Sequence, residues 1–285
     1  MRQDRPVDYE RAVEIAEGVF WVGFYDSHSG LHCNPYLIVD HDEAVVIDGG
    51  SRPDFPTVMM KILQAGILPS QIRALVYQHY DPDLCGSVPN FEDIIGREDL
   101  KIISAAANNM FIRHYAAKAK LLALENIGSQ FVFSSGRVLQ FIKTPYAHAQ
   151  GSLVTFDAES GILFSSDLFG YYGTEWSLFF NPDPVCLGCR DLSDCGRMSM
   201  KCPIRDILKF HQKLMPSEKA LHHALKKLLA VPFTMVAPQH GSVITDQKSL
   251  QKVFGLLAGL KGVGIDALVE EGYRINPERI QKRFA

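Results

Sequence analysis

Six side chains in this sequence are of types that grip metals, and they come in four short segments. The run "QHYDPDLC" at 78–85 sets His79, Asp81 and Asp83 at alternate positions. His148, Asp167 and His240 follow singly, far apart along the chain. Together they offer three imidazoles and three carboxylates. One tetrahedral zinc cannot use six donors, whereas two metals sharing a bridging carboxylate can use them all. A carboxylate-rich nitrogen–oxygen set suits iron or manganese. Anionic oxygens also stabilise the ferric state electrostatically, which redox chemistry needs.

The elements that must position these residues are short strands. His79 follows "ALVY", His148 lies just beyond "VLQFIKTPYA", Asp167 directly follows "ILFSS", and His240 follows "TMVAP" by one residue. A single histidine after a strand is commonly a surface or core residue. Four such arrivals converge on one sheet edge if the strands are neighbours, and they raise a metal site above that reading. Around them, "GVFWVGFY" and "NPYLIVDHDEAVVIDGG" read as strands, the second folding at a polar turn between Asp40 and Glu43. "PTVMMKILQAGI" has helical spacing closed by Gly66 and Pro69. A longer helix is expected over about 105–126, and others over 204–229 and 247–260. "QFVFSS", "RVLQFIKT" and "SLVTFDAESGILFSS" read as further strands. There is no internal repeat, and the class is α/β.

A second run has ligand spacing. "CLGCRDLSDCGRMSMKC" brings Cys186, Cys189, Cys195 and Cys202 within 17 residues. The opening C-x2-C is a chelating turn, but the later spacings match no standard zinc finger. A structural zinc, a [4Fe-4S] cluster and unligated thiols all stay open.

"HYDPD", "TPYAHAQGSLVTFD", "ILFSSDLFG" and "VAPQHG", in this order, resemble the di-iron domain of flavodiiron proteins, a branch of the metallo-β-lactamase fold. The resemblance spans roughly 15–260 and implies a metallo-β-lactamase-like αββα sandwich. It also implies that His79, Asp81 and His148 hold one iron and Asp83 and His240 the other, with Asp167 bridging. Members of that family reduce dioxygen or nitric oxide. Asp81 stands where the family carries Glu, one methylene longer, and keeps the charge and the oxygen donor. Leu84 stands where the family has a histidine, so the second iron loses a nitrogen; water, a dioxygen-derived species or a shifted side chain could fill the gap. After residue 260 about 25 residues follow, too few for the family's flavin domain. The organisation expected is therefore a di-iron domain over 1–260, a cysteine insertion at 183–203 and a tail at 261–285.

Stand-alone oxygen-binding di-iron sensors of the same branch resemble such a chain. The expected partners are dioxygen or nitric oxide, with either a signalling receptor or an electron-donor protein, and a homodimer is possible. An iron–sulfur cluster at the cysteines would supply an electron route and favour a reductase. The rival is a hydrolase of the same fold, in which a metal-bound water attacks an ester. Leu84 and the carboxylate at Asp81 count against it.

Other candidates are weaker. Tyr80 could donate to a metal-bound oxygen or simply pack. His32, in "GLHCNPY", borders the expected mouth and could face the substrate or support a ligand. Asp48 could orient a ligating histidine. Cys33 and Cys85 stand outside the cysteine run, and Cys85 is the nearer to the metal motif. His114, His211, His222 and His223 fall in helical stretches and read as surface groups. A net charge of −3 gives no electrostatic reason to expect nucleic acid or an anionic membrane as partner. The N-terminus shows no apolar targeting segment and no stretch is long enough to span a bilayer, so the expected location is cytoplasmic. Thiols there stay reduced, which makes metal binding a better expectation than disulfides.

Overall fold

Alternation along the strands decides the layers. In the computed structural model, residues 7–26, 28–115, 118–173, 176–189 and 202–269 are described. The first sheet has seven strands in chain order: β1 Val13–Ala16, β2 Val19–Trp21, β3 Tyr36–Asp40, β4 Glu43–Ile47, β5 Ile72–Val76, β6 Lys101–Ser104 and β7 Lys120–Ala123. Along β3 and β4, Tyr36, Ile38, Val45 and Ile47 face one core, while Leu37, Ala44 and Val46 face another. A strand buried on both faces needs apolar residues at every position, and "YLIVD" and "EAVVI" nearly supply that.

The outer core is closed by α1 Phe55–Gln64, α2 Pro82–Cys85, α3 Val88–Ile95 and α4 Ala106–Ile112, through residues such as Val58, Ile62, Leu84, Phe91 and Ile112. The inner core lies against a second sheet, ordered β12-β11-β10-β9-β8. Its strands are β8 Gln130–Val132, β9 Val138–Lys143, β10 Leu153–Asp157, β11 Ile162–Phe164 and β12 Met235–Ala237. Three further helices, α5 Pro203–Leu214, α6 Glu218–Leu228 and α7 Gln247–Ala258, pack their apolar stripes into this same core. The layers run helix, sheet, sheet, helix, as the αββα expectation required.

Strand direction places the site. In the first sheet, β4, β5 and β6 are parallel. In the second, β10 is antiparallel to both β9 and β11, and β11 is parallel to β12. The three ligand-bearing strands β9, β11 and β12 therefore end at the same edge. Arg137 ties the sheets together elsewhere, with Nε and Nη2 on Asp157 and Nη1 on the Val39 carbonyl of β3.

Three expectations need correction. The helix expected over 105–126 ends at Ile112, and Lys120–Ala123 instead pairs in parallel with β6. Ala, Leu and Lys favour a helix locally, but the open edge of β6 offers a ladder and tertiary pairing wins. The single helix expected over 204–229 is two, broken before Pro216, whose ring cannot continue the hydrogen-bond ladder. His211 is wholly buried. It shares a stripe with Ile204, Ile207 and Leu208 on α5, so it faces inward. His114 and His223 are exposed, as expected. The described part of the tail docks on α5 and on the turn before α6 through Gly264 N–H to Gln212 O (2.8 Å) and Ile265 N–H to Pro216 O (3.0 Å).

His211 carries a pH prediction. Its Nε2 accepts from Phe169 N–H (3.0 Å) and its Nδ1–H donates to Ile207 O (2.7 Å), so the ring is neutral. Burial pushes it down from 6.5 to about 4. A depressed histidine contributes stability that is complete above its unfolded value, near 6.5, and is lost as pH falls toward about 4. The loss is on the order of 3 kcal/mol by linkage. Urea midpoints at pH 7.5 and pH 4.5 should therefore separate less in His211→Gln than in the wild type.

Candidate metal centre

His79, His148, Asp167 and His240 lie just past strand ends, while Asp81 caps α2 and Asp83 lies within it. Beyond β5, Gln78 is held by Asp48, which accepts from its amide (2.9 Å) and its side chain (3.0 Å). The Gln78 carbonyl in turn accepts from Leu153 N–H of β10 (3.0 Å), joining the sheets beside His79. Asp48 thus steadies the neighbour of His79, while the group on the His79 ring is Ser166. His79 Nδ1 and Ser166 Oγ share a hydrogen bond (2.9 Å), leaving Nε2 directed at the carboxylates.

Asp167 sits between Ser166 and Phe169, both at positive φ (53° and 67°), a conformation that side chains other than glycine's rarely adopt. The turn is held by Gln239 N–H to Ser166 O (2.8 Å), Gly170 N–H to Asp167 O (3.0 Å) and the His211 contact. After β12, His240 donates from Nδ1 to His32 O (3.2 Å) and bridges Cys33 through the backbone. Gly241 follows at φ 88°, where a Cβ would lie 2.5 Å from the Tyr171 ring. Glycine is required there.

The six expected ligands converge. His148 Nε2 lies 3.0 Å from Asp167 Oδ2 and 3.3 Å from Asp81 Oδ2. His79 Nε2 lies 3.8 and 3.7 Å from the same two oxygens. On the other side, His240 Nε2 is 3.2 Å from Asp83 Oδ2 and 3.8 Å from Asp167 Oδ1. The two oxygens of Asp167 therefore face different ligand sets. The sets are His79, Asp81 and His148 on one side and Asp83, His240 and Cys33 on the other, each with donor atoms within 4.8 Å of one another.

Charge is concentrated here. Burial would raise the Asp167 carboxyl, but His79, His148 and His240 outweigh it and hold it well below the usual carboxylate range. Burial would lower His148, yet Asp167 and Asp81 push it up to about 10. His240 is likewise raised, Asp83 overcoming its burial. His79, wholly buried, is lowered by desolvation. The carboxylates stay ionised, and the same negative charge that holds protons on His148 and His240 would hold metal cations in their place, with release of those protons. Asp167 Oδ1, buried at 2 % residue exposure, has no hydrogen-bond partner among the described residues, an acceptor position that a cation would satisfy. The donor set thus fits a metal pair.

The weaker candidates are resolved unevenly. His32 is fully buried, accepting from Asp26 N–H at Nδ1 (3.0 Å) and donating from Nε2 to Gly173 O (2.9 Å), with its ring stacked on Trp176. What it sends to the centre is its carbonyl, on His240. Tyr80 stacks on Phe111 at 4.4 Å. Cys85 donates to the His79 carbonyl (3.5 Å) and lies in the outer core. Of the cysteine run, Cys186 and Cys202 are buried, Cys189 is half-buried and Cys195 lies outside the described residues. Burial, with Cys202 and Cys189 nearby, pushes the Cys186 thiol up to about 11, so the three share a neighbourhood.

Ser166 and Cys33 join the centre as well. Ser166 gives the second prediction. In Ser166→Ala the His79 ring loses its orienting partner, and metal affinity at that set should fall ~10–100-fold in a chelator-competition titration.

Comparison with known proteins gives a consistent picture. A family model described as ODP family beta lactamase matches residues 31–241. The type A flavoprotein fprA of Rhodobacter capsulatus is 26% identical over 250 residues, covering 81% of this chain and 52% of its own. The anaerobic nitric oxide reductase flavorubredoxin of Aeromonas salmonicida is 23% identical over 249 residues, 82% of this chain and 44% of its own. The chain thus spans about half the length of these curated relatives. Among solved structures, the peroxy diiron species of the chemotaxis sensor ODP superposes with a TM-score of 0.69 at 22% identity, covering 90% of this chain and 97% of that one. The rubredoxin oxygen:oxidoreductase of Desulfovibrio gigas gives 0.71 at 20% identity, covering 87% and 61%. These likenesses establish the fold.

Proposed function

The chain belongs to the ODP family of β-lactamase-fold proteins, and from that premise we propose that its centre holds two non-haem irons and binds dioxygen, as a sensor. The observation that carries this reading is Asp167, whose two oxygens face two separate ligand sets. His79, Asp81 and His148 would hold one iron, Asp83 and His240 the other, with Asp167 shared. Bound iron would supply one-electron chemistry toward a diatomic ligand. The chain's own residues do the rest. Ser166 fixes the His79 ring, His32 fixes His240 through its carbonyl, and burial of Asp167 keeps water from the bridging position. Access comes from the side of Asp81 and His148, whose side chains are 34% and 17% exposed.

Nitric oxide, the substrate named for the Aeromonas relative, is the competing diatomic. If the centre turns over, electrons would come from a separate donor protein. If it senses, the partner is a signalling receptor. Tyr80, on the residue between His79 and Asp81, is the side chain proposed to approach a bound ligand from the first set. At the cysteine run we propose a metal held by Cys186, Cys189, Cys195 and Cys202, either zinc or a [4Fe-4S] cluster. The test is oxygen uptake by anaerobically purified, ferrous-loaded protein. Stoichiometric uptake that persists without consuming an added reductant supports sensing. Sustained turnover, or no uptake, refutes it.

A further inference from the structure

The second ligand set contains a donor that the first lacks. Leu84, standing where the flavodiiron motif has a histidine, is wholly buried in the outer core with residues of α1 and α3, so it offers the centre no donor. The segment before β3 approaches from the opposite side. Cys33 forms an isolated backbone bridge with His240, Asn34 N–H donates to Gln239 O (2.8 Å), and the Asn34 side chain donates to Pro238 O (3.0 Å) and Gly241 O (2.8 Å). These hydrogen bonds hold the Cys33 backbone against the His240 loop. The thiol then lies 3.8 Å from Asp83 Oδ2, its donor atom within 4.8 Å of those of Asp83 and His240. The residue is 3% exposed. Asp167 Oδ1, buried and without a hydrogen-bond partner among the described residues, closes the same space from the bridging side.

We propose that Cys33 is a ligand of the second metal, supplying a thiolate where Leu84 has removed an imidazole. The inference rests on the paired-metal reading above. On binding, the thiol gives its proton to solvent and the sulfur bonds the metal, with no change of oxidation state. The two positions are then unlike. One is a nitrogen–oxygen site of His79, Asp81, His148 and Asp167; the other mixes nitrogen, oxygen and sulfur from His240, Asp83, Asp167 and Cys33. A soft donor on one position only lets the two metals differ in affinity and in redox behaviour, while the first remains a hard, carboxylate-rich site. The lost histidine is thus replaced from a different part of the chain, by a different kind of donor.

Cobalt(II) tests this, because thiolate ligation gives an intense near-ultraviolet charge-transfer absorption that nitrogen and oxygen ligands do not. The whole protein is titrated anaerobically with cobalt(II) alongside Cys33→Ala, Cys33→Ser and Cys186→Ala. The expected result is that the absorption accompanying the second equivalent at the centre is lost in both Cys33 variants and kept in Cys186→Ala. Affinity for that equivalent should fall at least tenfold. Uptake of the first equivalent, at His79, Asp81 and His148, is retained and reports an intact fold. Unchanged charge-transfer absorption and affinity in the Cys33 variants would overturn the inference while leaving the paired centre standing. Absence of cobalt uptake at either set in the wild type would overturn both. A Cys33 variant that also loses the first equivalent would assign Cys33 to packing, and would likewise overturn the inference.

Discussion

Replacing Asp167 by Asn should abolish metal binding at both halves of the centre. Each half relies on the same carboxylate, Oδ2 facing His148 and His79, Oδ1 facing His240. An amide has no net charge and turns one of these oxygens into an N–H donor, which cannot ligate a cation. Removing one outer carboxylate should act on one half only: Asp81→Asn on the His79 and His148 side, Asp83→Asn on the His240 side. Affinity in Asp167→Asn should fall by more than the ~10–100-fold expected when an orienting partner is lost, and at both sites together. His148, held up to about 10 partly by Asp167, should also titrate closer to its ordinary value. Metal titration followed by calorimetry, with histidine titration by nuclear magnetic resonance, reads both effects. Loss at one site alone would argue against a bridge.

The largest stability effect should come from the opposite edge of the second sheet. Asp157 closes β10, which runs against β9 and β11, so it lies away from the metal edge. Its carboxylate is fully buried and grips Arg137 through both oxygens, with the guanidinium only 3% exposed. Asp157→Ala removes the buried counter-charge of that guanidinium and leaves only the exposed Glu159 carboxylate at 3.7 Å, at a cost of about 3–5 kcal/mol. The double change Arg137→Met with Asp157→Leu should recover most of this, since a buried pair replaced by apolar residues is often neutral or stabilising. Guanidinium chloride unfolding of the three variants decides it. Metal content should not change in the double variant.

Much of this architecture is legible in the sequence because burial forces it. The nearly apolar runs at β3, β4 and β5 had to lie inside a two-sided sheet, and the hairpin turn after Asp40 follows from its polar residues. The candidate ligands are legible because strand ends are where open α/β sheets present side chains. What escaped was decided by neighbours remote in sequence. Lys120–Ala123 has the composition of a helix and becomes a strand only because β6 has a free edge. His211 is buried because α5 turns that face inward, a matter of helical phase that the type of residue does not reveal. Cys33 shows which signal was available. It precedes β3, and β3 is antiparallel to β4. The start of β3 therefore lies at the edge where β4 and β5 end, beside Asp48 and His79. Strand direction, applied to residues before strands as well as after them, brings Cys33 to the centre. Ser166 offered less, since a serine beside a ligand is common and only the turn around Asp167 aims it at His79.

The most direct measurement is a count of iron, zinc and acid-labile sulfide per chain in protein purified without oxygen, made on the wild type and on Asp167→Asn. A paired iron centre predicts about two irons in excess of any that accompany sulfide, and the loss of both in the variant. Zinc without iron at the centre would contradict it and return the chain to metal-dependent hydrolysis.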